Sequence, residues 1–357
     1  MKAAVFHEVG KPIVVEEVSV RAPAEGEVRV AIHAAGLCHS DVSAINGTYP
    51  TPRPTVMGHE GAGVIDAVGP GVRTLREGDR VILSTLAHCG HCPECDVGRP
   101  TLCHNPPTPS TPFSVGGKPA YNFANTSTFV PHTVVKASSA IKVPPEMPMA
   151  QAALIGCGII TGVGAVLNRA RVEAGRTMAV FGAGGIGLNI VQGGVLAGAG
   201  RIIAIDLVPA KLEWARKFGA TDVVNAAETD PVAAVKDLTR GRGADYTFEA
   251  IGNLKAIEQA FAALAPGGTL TIVGVPKLDA RAEFLVNALR VDKAILGCRY
   301  GTARPQHDFP MLADLYLRGR LKIDELITRH YALEEINHAI EDLERGELAR
   351  GVFQLAS

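Results

Sequence analysis

From Thr177 to Cys298 one pattern repeats, and it limits the folds open to this chain more than any other feature. Six short strand-like runs start at 177 (TMAVF), 201 (RIIAID), 222 (DVV), 246 (YTFEAI), 269 (TLTIVG) and 294 (AILGC). Helices are expected between them, from about Ile186, Pro209, Pro231 and Leu254. Strands joined by helical crossovers run parallel, and runs as apolar as RIIAID need cover on both faces. The expected core is a doubly wound α/β sheet.

The flanks read differently. Lys2–Phe6, Glu27–Ala35, Gly61–Val68 and Arg80–Ser84 are short β-type runs punctuated by Gly and Pro. Val28-Arg-Val-Ala-Ile alternates polar and apolar residues, as half-buried antiparallel strands do. Residues 104–120 are rich in Pro, Thr and Ser and read as a surface loop. The last sixty residues or so offer strands at Leu326–Tyr331 and Gly351–Leu355 around a helix at Leu333–Arg345. The simplest arrangement is a β-rich domain made from both chain ends, 1–158 and 296–357, with the parallel sheet, 159–295, inserted.

At 357 residues the chain has about two domains' worth of length. Lys and Arg total 35 against 36 Asp and Glu, so no basic excess exists to hold nucleic acid or an anionic membrane, and neither is expected as a partner. The N-terminal MKAAVFHEVGKP lacks the apolar stretch of a signal peptide. The longest apolar run, Leu154–Leu167, reads as too short and too glycine-rich to cross a bilayer. A soluble, cytoplasmic protein is the expectation.

After Thr177–Phe181 comes Gly182-Ala-Gly184-Gly185-Ile186-Gly187 and then a helical run. The first Gly permits a tight turn, the second lets backbone approach a pyrophosphate, and the third allows strand and helix to pack closely. The helix N-terminus adds free N–H groups for phosphate. The next strand ends at Asp206, where a carboxylate binds a ribose 2′-OH and repels a 2′-phosphate; Leu207 and Val208 supply no Arg to receive one. NAD is therefore expected rather than NADP. The plain alternative is a packing turn with Asp206 as a strand-end cap.

Four of the seven cysteines lie at Cys89, Cys92, Cys95 and Cys103. Four thiolates on one turn-rich segment can close a tetrahedron around a structural zinc. An iron–sulfur cluster is the rival, although the ferredoxin run ends on a shorter spacing with Pro after its fourth Cys. Scattered free thiols are the third reading. A dispersed set, Cys38 in GLCHSD, His59 in GHEGAG and Cys157 in IGCGIIT, would give zinc three ligands and leave one position open. Each of these taken alone could instead be a small buried core residue.

Gly58-His59-Glu60 with Gly63, Gly69 and Val72 resembles the zinc signature of the zinc-dependent medium-chain alcohol dehydrogenases. The four-cysteine spacing and the distance from Cys157 to the glycine run are similar to that family too, and the resemblance extends from Lys2 to near Leu355. It implies a Rossmann NAD domain inserted into a GroES-like catalytic domain, with a structural zinc lobe at about 88–104. It implies two zinc ions per chain, the catalytic one on Cys38, His59 and Cys157, with Glu60 as a carboxylate able to approach the metal. Asp41 would orient His59, with a helix N-cap role as the plain alternative, the two being compatible, and Ser40 would take the alcohol proton. His39 and Arg350 resemble pyrophosphate contacts, Lys211 a ribose partner and Ile251 an adenine neighbour. Thr161, Val273 and Val275 resemble nicotinamide neighbours. Tyr49, Thr85, Phe123 and Val275 would wall the substrate pocket.

The implied reaction is reversible oxidation of primary, or secondary, medium-chain or aromatic alcohols, with hydride passing to NAD, in a homodimer or homotetramer. Two departures stand out. Ser43 occupies the position where many relatives end the proton relay with His, and no Arg lies near Pro107 as in the glutathione-dependent formaldehyde branch. Two other functions compete: a polyol dehydrogenase, which commonly has a carboxylate in place of Cys157, and a catalytically silent, zinc-stapled NAD-binding or structural protein.

Overall fold

The computed structural model of the chain describes residues 1–355. They form two compact units, Met1–Cys157 with the segment from Arg304 onward, and Gly158–Ala303. The sequence placed the crossings at 158/159 and 295/296. The second comes later because Ala294–Gly297 pairs with Leu264–Ile272 as the edge of the inserted sheet, and a turn at Tyr300–Thr302 follows it within the same unit.

In the inserted unit all six expected strands form, and all pair parallel. Their order is Asp222–Asn225, Arg201–Asp206, Thr177–Phe181, Ala244–Glu249, Leu264–Ile272, Ala294–Gly297. The order reverses beside Thr177–Phe181, so the loops after it and after Ala244–Glu249 open a crevice at the carboxyl ends of the strands. Ala179, Phe181, Ile203, Ile205 and Leu270 pack beneath the helices Pro231–Leu238 and Leu254–Ala262.

The other unit holds a small closed barrel and a larger, mostly antiparallel sheet. In the larger sheet Glu27–Gly36 is central: it pairs with Glu60–Val68, with His132–Lys136 and with the C-terminal strand Arg350–Gln354. Residues 104–120 are not wholly loop. Phe113–Val115 and Lys118–Asn122 form a hairpin of the barrel, closed by Gly116 and Gly117, both at positive φ (54° and 79°). Two adjacent positive φ values are the geometry of a two-residue hairpin turn. The C-terminal helix begins with a tight turn at Leu333–Glu335 and becomes regular only from Ile336.

The apolar run around Leu154–Leu167 also differs from expectation. It lies inside a 22-residue helix, Met149–Ala170, long and apolar enough by composition to cross a membrane, but 78% of its apolar window is buried within the protein. It is a core helix. Its regular winding is interrupted at Ile155–Ile159 and again at Ala165–Ala170 by wider π turns, the first of which carries Cys157.

Candidate metal and dinucleotide sites

The extended strand Glu27–Gly36 delivers the chain to Cys38, which precedes the short helix His39–Ile45. Asp41, in the first turn of that helix, accepts from the Cys38 amide at 3.1 Å, so it serves the cap from the third helical position rather than as the N-cap itself. Its other oxygen lies 3.1 Å from His59 Nδ1. One buried carboxylate therefore fixes both the turn that carries Cys38 and the ring of His59.

That hydrogen bond leaves Nε2 of His59 buried and without a hydrogen-bond partner. Ligand atoms of Cys38, His59, Glu60 and Cys157 all lie within 4.8 Å of one another. Burial alone would hold His59 neutral, but the charge of Asp41 pushes it well above its ordinary range. A hydrogen bond with Cys157 holds Cys38 well below the usual thiol range, and Cys157 is pushed up in turn. Burial raises Glu60 to about 8 although Arg350 Nη1 stands 3.3 Å from its Oε1. Three groups able to become anions thus surround an orphaned imidazole nitrogen. That donor set fits a divalent, thiolate-tolerant cation such as zinc.

In the lobe, Cys103 Sγ stands 3.5 Å from Cys89 Sγ and 4.0 Å from Cys92 Sγ, and all four sulfurs are within 4.8 Å of one another. Zinc–sulfur bonds of about 2.3 Å in a tetrahedron separate sulfurs by about 3.8 Å. The lobe fits a closed zinc site. Hydrogen bonds from the chain near His104 and Cys95 bring Cys92 down to about 6, while burial sends Cys95 up to about 12.

The three glycines of the second unit behave as their spacing predicts. Gly182 has φ +97°, a Cβ on Gly187 would strike the Gly182 carbonyl, and a Cβ on Gly184 would meet nothing within 4 Å. The room beside Gly184 is a cradle that no protein atom fills, at the N-terminus of the helix Gly185–Ala197. Asp206 accepts from the amides of Ala183 (2.8 Å) and Val208 (3.0 Å), which ties the glycine turn to the next strand. Lys211 is half-buried on the following helix, Thr161 and Val273 are buried, and Ile251 and Val275 are exposed.

Of the expected pocket wall, Phe123 packs edge-on to the His59 ring at 5.7 Å. Tyr49 is half-buried, and its phenol is raised by burial and by the charges of Cys38 and Cys157. Thr85 is half-buried, its carbonyl accepting from Asn125 at 3.4 Å. Tyr49 also borders a groove of about 400 Å³ whose charged residue is Arg53. Ser40 Oγ is 3.9 Å from Cys38 Sγ, and His39 is exposed. Arg350 is buried, with Nη1 3.3 Å from Glu60 Oε1 and 3.3 Å from the Leu37 carbonyl, a pairing the sequence did not suggest. Sequence reasoning passed over Glu249, whose signal was a lone carboxylate inside the apolar run YTFEAI.

Residues 24–145 match the alcohol dehydrogenase GroES-like domain, and residues 185–318 match the zinc-binding dehydrogenase domain. The chain is 40% identical to an alcohol dehydrogenase class-3 of Cereibacter sphaeroides, covering 98% of each chain. It is 39% identical to an NDMA-dependent alcohol dehydrogenase of Amycolatopsis methanolica, covering 99% of this chain and 98% of that one. The crystal structure of benzyl alcohol dehydrogenase from Acinetobacter calcoaceticus superposes with a TM-score of 0.94 at 34% identity, covering 99% of each chain. The chain belongs to the zinc-dependent medium-chain alcohol dehydrogenases.

Proposed function

We propose that the chain is a zinc- and NAD-dependent dehydrogenase that oxidises medium-chain or aromatic primary alcohols reversibly to aldehydes. The observation that carries this reading is the His59 ring, fixed by Asp41 on one side and presenting an orphaned buried nitrogen to Cys38 and Cys157 on the other. Cys38, His59 and Cys157 would hold one zinc, with Glu60 beside it, and Cys89, Cys92, Cys95 and Cys103 a second. A zinc held by the first set would supply Lewis acidity toward an alcohol oxygen, and a bound NAD would supply the hydride acceptor. Two thiolates balance the charge of a divalent cation, so the product is not held by a surplus positive field.

Ser40 Oγ would relay the alcohol proton, taking it as its own hydroxyl proton passes on toward the ribose hydroxyls of the dinucleotide, since Ser43, one turn on, has no imidazole to receive it. Phe123 and Tyr49 exclude water and give an alkyl or aryl group apolar cover. Gly184 and the helix behind it receive the pyrophosphate, and Asp206 the adenosine ribose. Copies of the chain associate, a reading supported by the edge strand Ala294–Gly297 and by Leu278, Leu285 and Val286, each at least 77% exposed. Seven free thiols suit a reducing compartment such as the cytoplasm.

The test is a screen of the purified, zinc-loaded chain, with and without added NAD, following NADH formation. Each methylene buried in an apolar pocket contributes about 0.8 kcal/mol. Hexanol and benzyl alcohol should therefore exceed ethanol in kcat/KM by about tenfold or more. Ethanol ranking first would refute the pocket, and a hydroxy acid ranking first would move recognition to Arg53. Absence of any alcohol-dependent NADH formation with both zincs bound would favour a silent NAD-binding protein.

A further inference from the structure

The central strand Ala244–Glu249 ends on a carboxylate that the proposed reaction does not use. Glu249 has no solvent exposure. Its Oε1 accepts from three successive amides, Ile251 (2.9 Å), Gly252 (2.7 Å) and Asn253 (3.2 Å). Its backbone carbonyl accepts from Val273 (2.8 Å) and Gly274 (2.9 Å). The turns that follow two neighbouring strands thus hang on one residue. The second carboxylate oxygen is buried without a hydrogen-bond partner and lies against Gly274, where a Cβ would come within 2.6 Å of it.

These turns interlock with each other and with the glycine-rich turn. A Cβ on Gly252 would lie 2.5 Å from the Val275 carbonyl, and a Cβ on Gly182 would lie 2.5 Å from Ile251 Cγ1. Ile251 is seated directly over the first glycine of the phosphate turn, yet it and Val275 each remain 56% exposed. Burying a carboxyl with one oxygen unmatched is costly, whereas an apolar side chain at the end of this strand would cost nothing of the kind. Three amides converging on one oxygen make a rigid turn, and rigidity in advance of binding lowers the ordering cost of the ligand.

We propose that Glu249 is a positioning residue for the dinucleotide: its carboxylate fixes the 250–253 turn so that Ile251 stands over Gly182, and it thereby sets NAD affinity without touching the reacting atoms. This inference rests on the assignment of NAD to the inserted sheet. The carboxylate acts through its acceptor oxygen, so an amide in its place keeps the clamp, and a shortened or apolar side chain loses it.

The test titrates NAD against the zinc-loaded full-length chain and its Glu249→Gln, Glu249→Asp and Glu249→Leu variants, and measures KM for NAD and kcat. Glu249→Leu should raise the NAD Kd tenfold or more, with kcat at saturating NAD within threefold of the parent and zinc content unchanged. Glu249→Gln should stay within threefold in Kd, and Glu249→Asp should fall between the two. An NAD Kd for Glu249→Leu within twofold of the parent overturns the proposal. So does a Glu249→Gln variant as weak as Glu249→Leu, because the charge rather than the acceptor would then matter. Should Glu249→Leu fail to fold, Glu249→Asp decides: an unchanged Kd overturns the proposal, and a Kd raised threefold or more with Tm nearly unmoved upholds it. A parent chain that binds no NAD removes the reading on which the inference stands, and overturns both.

Discussion

At the scale of single residues, the proposed function gives the two cysteine sets different work to do, and removing one sulfur from each should separate them. Cys157→Ala should abolish turnover while the fold survives, with zinc falling from two ions to one per chain by elemental analysis. Cys95→Ala should mainly lower Tm or solubility, because a closed four-sulfur site contributes folding energy and an open site contributes chemistry. Near-normal turnover in Cys157→Ala would defeat the assignment. Both sets were legible in the sequence, since sulfur spacing is a local property and GHE marks His59. Arg350 was not: its partner Glu60 lies far away along the chain, and nothing local to Arg350 shows that strand pairing will bury it there. Glu249 was hidden for a related reason. An acid at a strand end reads as an exposed cap until the three amides curling back onto it are seen.

At the scale of elements, the π turn Ile155–Ile159 carries Cys157, one of the proposed metal ligands. A wide turn inserts one extra residue into a helix and re-aims the side chains within it, and such turns gather at functional sites. Gly156 lets this one press against the neighbouring strand, for a Cβ there would lie 2.7 Å from the Leu83 carbonyl. Gly156→Ala should displace the turn at a cost of about 1–3 kcal/mol and move Cys157. The expected result is loss of one zinc and at least a tenfold fall in turnover, with the cysteine lobe still loaded. Retention of both metals and parental turnover would show that the turn does not set the position of Cys157. Periodicity could not reveal it, because IGCGIIT is apolar or small throughout and carries no face to read. The parallel strands were legible for the opposite reason, each being a distinct run bounded by Gly, Pro or a charge. The hairpin at 113–122 escaped because Pro119 and the polar residues before it outweighed the Gly116-Gly117 turn.

At the scale of the whole molecule, one contribution to acid stability comes from Glu27, buried where the central strand of the larger sheet begins. Burial alone would raise its carboxyl, but Arg21, the Ala24 amide and Lys136 together hold it at about 2, against an ordinary value of 4.5. A carboxyl depressed by folding stabilises above its ordinary pKa, and that stability drains as pH falls toward the folded value. The contribution is about 2 kcal/mol near neutrality, allowing for the solvent-exposed Arg21 and Lys136. Glu27→Gln should therefore be less stable than the parent at pH 7, and the gap in denaturant midpoint should narrow between pH 4.5 and 2. A gap that stays constant across that range would assign the loss to packing instead.

The strand Arg350–Gln354 fills the place between Glu27–Gly36 and Ile327–Tyr331, and its first residue lies against Glu60. On a ribosome this means that the unit begun before the inserted sheet is completed only after it. At about 5–20 residues per second, roughly 10–40 s separate the appearance of Cys157 from that of the closing strand. Throughout that interval the Leu37 amide lacks the Gly351 carbonyl that will receive it, and Glu60 lacks its guanidinium. The inserted sheet, contiguous in the chain, can complete itself while its host waits open. The Cys38–His59–Cys157 set is thus synthesised well before the arginine that comes to lie against Glu60.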